Sequence, residues 1–375
     1  MRSTEQCVAL FMCFCEQQVM ALKYECESTR AVAAPYQIPA MIEGIFEYET
    51  EEWGPEETDG SGEDTQRTGA VLLGIRQERR HLEVPGALGG VPVRRIAPHA
   101  LSGKKQLRAV SFPESVRSVG VFALHNCPNL EEVSLHDGIR DFHNGVLRQD
   151  VRLRRIRLFV AKNNYTVMRD ILSDGDARLQ FYLAMPDGEA RLLFPGYDYA
   201  FAENTMARTI QFTISGSGMV YRECVRRKGI GFREYDRLFS RVVHDDPHAA
   251  VEIAADRLLC PYDLAPVHRD QYTDYLRTHA QEALLQFVGG LEKEPEGPAA
   301  DEVYERLRLM ADRGMISGSA ADAPLRAGAD AGLTEACSII LGGREKALRP
   351  VSGAAAGRDC DEKEVDDGCL SLDDW

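Results

Sequence analysis

No apolar run in this chain approaches the ~20 residues of a membrane-spanning helix, so no helical span is expected among its 375 residues. Positive charge is also short: 44 Lys and Arg stand against 59 Asp and Glu, a net charge of −15. Lacking a net positive footprint, the chain is not expected to take a nucleic-acid partner. Ten cysteines are present, but they show neither paired C-x-x-C spacing nor the density of a small disulfide-stapled domain, which favours reduced thiols in a cytoplasm. Cys7, Cys13, Cys15 and Cys26 have no nearby His and read as ordinary cysteines rather than a metal site. There is no Walker loop, H-E-x-x-H or G-x-S-x-G. Gly216-Ser217-Gly218 has no following Gly-Lys and reads as a turn. No cofactor, metal ligand or catalytic residue is assigned.

One short unit is there instead, written three times through 91–158 at a step that never slips. Seven columns are apolar in every copy: Val93/Val116/Ile139, Ile96/Val119/Phe142, Ala100/Ala123/Val146, Leu101/Leu124/Leu147, Leu107/Leu130/Leu153, Val110/Val133/Ile156 and Phe112/Leu135/Leu158. A fixed period in the twenties is the mark of a leucine-rich solenoid, in which each unit buries its apolar face only by stacking on its neighbours. Strands are expected at 107–112, 130–135 and 153–158. A short helical turn is expected near Ala100-Leu101 and its equivalents.

Side chains between the apolar strand positions must point away from the core. Residues one period apart then stack about 4.8 Å apart on adjacent strands. One row is Arg108, Glu131, Arg154; the next is Ala109, Glu132, Arg155; the last is Ser111, Ser134, Arg157. Opposite charges across strands favour each other by a few tenths to ~1 kcal/mol, so this face can neutralise itself. It can equally serve as a polar docking strip. Glu131 is expected to neutralise Arg154 and Glu132 to reach Arg155, while Arg157 faces Ser134. The binding residues expected are therefore Arg108, Glu131, Glu132, Arg154, Arg155 and Arg157, receiving an acidic protein segment or one of the chain's own.

The segment "SVRSVGVFALHNCPNLEEVSL" resembles the BspA-like class of bacterial leucine-rich repeats. Val116, Val119, Gly120, Ala123, Cys127, Leu130 and Val133 carry the match, with Leu124 in place of the family's Phe. The first copy supplies Ile96, Ala100, Leu107, Val110 and Pro113 but has Lys104 at the Cys position. The third departs further, with Phe142, His143 and Asp150. "LEVPGALGGVPVRRI" is similar to the family's lead-in. The resemblance covers about 82–158. It implies a solenoid, a binding role and no single activity.

Residues 1–40 are expected to be a poorly ordered segment, with Met20 and Met41 as possible later starts. Residues 41–90 are expected to form a β-hairpin cap with an acidic loop: 43–64 carry ten acids and no Lys or Arg. Here 70–75 and 81–84 would be two strands joined across Arg76 to Arg80. The repeats fill 91–160. Residues 165–245 read as an antiparallel β extension with one helix, with strands at 165–172, 179–184, 190–194 and 209–214. Residues 246–348 read as a helical domain whose first helix is capped by Asp246 with Pro247 following, and whose second runs over 266–288. Residues 349–375 form an acidic tail, expected to be disordered. The fold class is α+β: a short leucine-rich-repeat solenoid of three repeats, a β extension and a C-terminal helical domain.

The function expected is a non-catalytic protein-binding or scaffold protein in the cytoplasm. One alternative is a secreted or cell-surface adhesin, for which the run 7–15 and Ala31 to Ala34 would serve as a signal. A second is an enzyme with a site in 165–245, using Arg222, Arg226, Arg227 and Lys228 as an anion receptor and Cys224 beside them.

Overall fold

The structure, a computed structural model, describes residues 41–53, 68–204 and 209–348. The expectations of order for 1–40, the acidic loop and the acidic tail fall outside the described residues.

Two sheets run back to back along the repeats. The first is a ladder of strands β4 (His81–Glu83), β7 (Ala109–Ser111), β9 (Glu132–His136), β11 (Arg155–Phe159) and β12 (Leu179–Met185), all parallel, closed by antiparallel β13 (Gly188–Phe194). The second holds β3 (Thr68–Ile75), β6 (Val91–Ile96), β8 (Ser118–Val119) and β10 (Asp141–Phe142). The hairpin β1 (Met41–Glu43) and β2 (Phe46–Glu52) covers the free edge of β3, while short β5 (Ala87–Leu88) pairs with β6. Between the sheets lie the seven predicted columns. Twenty of their 21 side chains are buried, and Leu147 is half-buried.

The solenoid is longer than its sequence period. In the ladder His81 pairs with Ala109, Ala109 with Glu132, Glu132 with Arg155 and Arg155 with Gln180. Five turns stack. Only the two middle steps keep the spacing of the repeat, and the first and last are longer. The segment β3–β4 is therefore not a hairpin. Its two strands lie in different sheets, and 76–80 is a solenoid corner.

The corners are not helical turns either. Ala100 N–H bonds to Ala97 O at 3.2 Å and Ser102 N–H to His99 O at 3.1 Å, each a single tight turn. His99, Phe122 and Gly145 have φ of 59°, 56° and 74°; Gly103, Asn126 and Gln149 have 71°, 59° and 68°. Two left-handed residues per corner, each recurring at the period, prevent a helix from propagating.

Segment 165–172 is helical, not a strand. Asn164 Oδ1 accepts Thr166 N–H at 3.1 Å, opening α1 (Thr166–Asp174). Val167, Met168, Ile171 and Leu172 are buried, the spacing of one helix face. Asp174-Gly175 thus ends a helix, whereas Asp187-Gly188 does turn the β12–β13 hairpin. A separate hairpin joins β14 (Asp198–Asn204) to β15 (Thr209–Ser215). After it come α2 (Gly218–Arg222), the small hairpin β16 (Val225–Arg226) and β17 (Gly229–Ile230), α3 (Phe232–Arg237) and α4 (Phe239–Asp245). The described residues of 165–245 so hold four helices where one was expected.

Helix α5 (Pro247–Leu259) starts as expected, with Asp246 Oδ1 accepting Ala249 N–H at 3.0 Å. The expected single helix over 266–288 is two, α6 (Pro266–Thr278) and α7 (Ala280–Lys293), broken at His279. Helices α8 (Pro298–Asp312), α9 (Gly318–Asp330) and α10 (Thr334–Leu348) complete the stack. Helix α5 lies on β13, and α8 packs on α5.

Candidate functional site

The outward side chains of the ladder form three rows. The first runs His81, Ala109, Glu132, Arg155, Gln180, Leu193; the second Glu83, Ser111, Ser134, Arg157, Tyr182, Arg191; the third His136, Phe159, Ala184, Glu189. The two ends of these rows differ. At the C-terminal end Arg155, Gln180 and Leu193 are buried.

What covers them is the helical layer. Asp256 on α5 is fully buried and accepts a fork from Arg306 on α8, Nε and Nη2 both at 2.9 Å. Gln180 of the ladder donates to the same carboxylate, and its own oxygen takes Arg306 Nη2 at 3.3 Å. Glu252 on α5 pairs with Arg178 and with Arg306. Burial alone would push Glu252 up, but the Arg306 and Arg178 guanidiniums hold its carboxyl below the ordinary range. Glu302 of α8 lies 4.0 Å from Arg155, and Glu305 lies 2.5 Å from Arg191. An acidic helix of the chain itself thus occupies the end of the strip.

The predicted site residues therefore divide. Arg108 pairs with Glu131 at 3.4 Å, and Arg108 remains half exposed. Glu132 takes both Arg155, at 3.1 Å, and Arg157, at 2.5 Å. Arg157 does face Ser134, but Glu132 is its diagonal neighbour, within reach of so long a side chain. The Glu132 hydrogen bond raises the Arg157 pKa. Arg154 is not neutralised by Glu131; its guanidinium donates to the Leu153 carbonyl, at 3.4 Å, and it stays exposed.

The N-terminal end of the face is open. His81 and Glu83 are exposed, and Ala109, Ser111 and Ser134 are half-buried. At its border His136 stacks on Phe159, ring centroids 4.8 Å apart, and Phe159 is 43% exposed. This aromatic pair was not anticipated. Its signal was the period, since 136 and 159 share a column, and an exposed Phe is out of place on a self-neutralising polar face.

The chain carries a leucine-rich-repeat solenoid. No protein-family model and no curated protein matches it. Among solved structures it is similar to a leucine-rich repeat protein from Bacteroides ovatus, at 18% identity over 32% of this chain and 31% of that one, TM-score 0.25. It is also similar to a leucine-rich cell surface protein from Faecalibacterium prausnitzii, at 13% identity over 42% and 44% of the two chains, TM-score 0.27. The leucine-rich repeat protein of T. pallidum matches at 17% identity over 38% of this chain and 81% of that one, TM-score 0.20. The chain spans about a third of the first of these and under half of the second.

Of the groups named for an enzymatic site, Arg222, Arg226 and Cys224 are used for structure, while Arg227 and Lys228 are exposed. Arg222 is turned inward and donates to the carbonyls of Leu172, Pro195, Gly218 and Ala177. Arg226 donates through Nη2 to both carboxylate oxygens of Glu234. Cys224 is 3% exposed, and burial pushes its thiol up to about 12, away from thiolate chemistry. A depression of about 580 Å³ does lie in this region, but Asp176, Asp198, Asp245 and Asp246 line it, without Cys224 or Arg226. Among the described residues no group of His, Cys, Asp or Glu is placed to hold a metal ion.

Proposed function

We propose that this protein binds a protein partner on the open N-terminal part of its ladder face, and that it acts as a scaffold without catalysis. One observation carries the reading. The same β surface is sealed by α5 and α8 at one end and left bare at the other, with the exposed Phe159 ring at the boundary. Exposed aromatics ringed by polar groups are what interface centres are made of. Of the predicted strip, Arg108, Glu131, Arg154 and Arg157 belong to the accessible set. Glu132 anchors Arg155 and Arg157, and Arg155 serves the α8 contact.

The reading places the protein in a reducing compartment such as the cytoplasm. Cys127, Cys224, Cys260 and Cys337 are unpaired, and no helix among the described residues is long and apolar enough to cross a membrane. The surface-adhesin alternative predicts a processed N-terminus near Pro35, which mass spectrometry of the native protein detects. The binding reading is tested by quantitative affinity capture on full-length protein, wild type against Phe159→Asp with Ser111→Arg. Partners that depend on the face should be lost from the double variant. An identical set, at identical yield, removes the ladder face as the site.

A further inference from the structure

Along the ladder, the unneutralised positive charge does not lie on the strand face. It lies on the rim where the chain leaves each corner and enters a ladder strand. Arg108 N–H and Ala109 N–H bond to Arg80 O, Glu131 N–H to Arg108 O, and Arg154 N–H to Glu131 O. Arg80, Arg108, Glu131 and Arg154 therefore stand in one row, about 4.8 Å from strand to strand. Arg79, Lys105 and Arg152 flank that row, and all except Glu131 are exposed. Arg79 bonds only to the neutral Gln77, and Arg80, Lys105, Arg152 and Arg154 have no carboxylate partner among the described residues. The two rim carboxylates are committed, Glu131 to Arg108 and Glu78 to the Gln106 N–H. In a chain of net charge −15 this is a localised cationic strip. Beyond Arg154 it is closed by Arg178, which pairs with Glu252 of α5.

Beside Arg152 stands Val151, 70% exposed, the most exposed large apolar side chain among the described residues. An exposed apolar side chain next to an exposed Arg distinguishes between polyanions. A phosphate backbone has nothing apolar to place on it. A peptide can put an apolar side chain on Val151 and direct carboxylates to Arg80, Arg152 and Arg154, whose guanidiniums suit fork-like acceptance of carboxylates.

We infer that the rim from Arg80 to Arg154 is the docking site for an acidic peptide segment with an apolar residue among its carboxylates. This rests on the protein-binding reading above and assigns the partner's chemistry to a place beside the ladder face rather than on it.

The test is fluorescence anisotropy of the full chain with a short labelled peptide carrying glutamates on both sides of a central leucine. Affinity should fall at least about tenfold in Arg80→Glu with Arg154→Glu, and severalfold in Val151→Asp. It should also fall steadily as salt rises from about 0.05 to about 0.5 M, where the Debye length shrinks to about 4 Å. These side chains are exposed, so the variants should keep the wild-type melting profile. Unchanged affinity in the double variant overturns the inference. So does equal binding of a short polyphosphate, or of a peptide with serine in place of the leucine, because either makes charge alone sufficient. Loss of peptide binding in Phe159→Asp with the rim variants unaffected removes the rim and leaves the face reading standing. Failure of the capture experiment with the rim result intact does the reverse.

Discussion

Replacing Asp150 by Asn should flatten the pH dependence of stability between pH 5 and 8. Asp150 sits in the third copy at the column that Cys127 occupies in the second, and it is 8% exposed. Its Oδ1 accepts the Cys127 N–H at 2.7 Å, while its Oδ2 has no hydrogen-bond partner. Burial pushes its carboxyl up to about 7, outweighing the opposite pull of the Cys127 hydrogen bond. An unfolded Asp titrates near 3.9. The folded pKa is the higher one, so the stability linked to this group is complete below about pH 4 and is lost as pH rises through about 7. Three units at about 1.4 kcal/mol each bound the whole effect at ~4 kcal/mol, of which roughly 2–3 kcal/mol falls between pH 5 and 8. Asn keeps an acceptor for the Cys127 N–H and carries no charge. Urea denaturation of both proteins at pH 5 and pH 8 gives the double difference, which cancels other titrating groups such as Asp174, itself pushed up to about 6 by burial. A double difference below ~0.5 kcal/mol, the scale of ordinary surface substitutions, would refute the argument that Asp150 is a carboxylate stranded in the core.

Leu130 is fully buried in the middle turn, and Leu130→Ala should cost ~2–5 kcal/mol in chemical denaturation, through lost transfer energy and the cavity left behind. Gln149 is exposed with φ 68°. Gln149→Gly should raise the melting temperature, because relief of a left-handed residue is worth up to ~1 kcal/mol, and an unchanged or lower melting point would count against corner strain. Asp236 and Arg257 are both fully buried and joined by two bonds of 2.8 and 3.0 Å, with Tyr272 donating to Asp236 at 2.7 Å. Asp236→Ala should cost ~3–5 kcal/mol by leaving a buried guanidinium unpaired, and adding Arg257→Met should recover part of it; additive losses would mean the two side chains act independently.

Column chemistry settled the heart of this protein before any tertiary contact is considered. Apolar side chains in seven columns, repeated at one fixed period, are buried together only when short strands coil and stack, and the strands at Val110, Val133 and Ile156 lie there. The outer turns are hidden in the sequence because their linkers differ in length. The step from His81 to Ala109 is longer than the repeat, and so is the step from Arg155 to Gln180, where α1 replaces a tight corner. A period shows only equal steps, whereas strand pairing needs only that the apolar residues arrive in register. The charges show the same division. Arg and Glu at the strand positions were legible one by one, and the Arg108–Glu131 pair follows from neighbouring strands alone. That Arg155 would be buried beneath Glu302, with Gln180, Asp256 and Arg306 locking α8 to the ladder, depends on residues up to 126 positions apart. No local pattern carries that distance. Tertiary structure alone decided which part of the face is sealed, which part is open, and that a row of guanidiniums without carboxylate partners stands on the rim of the ladder.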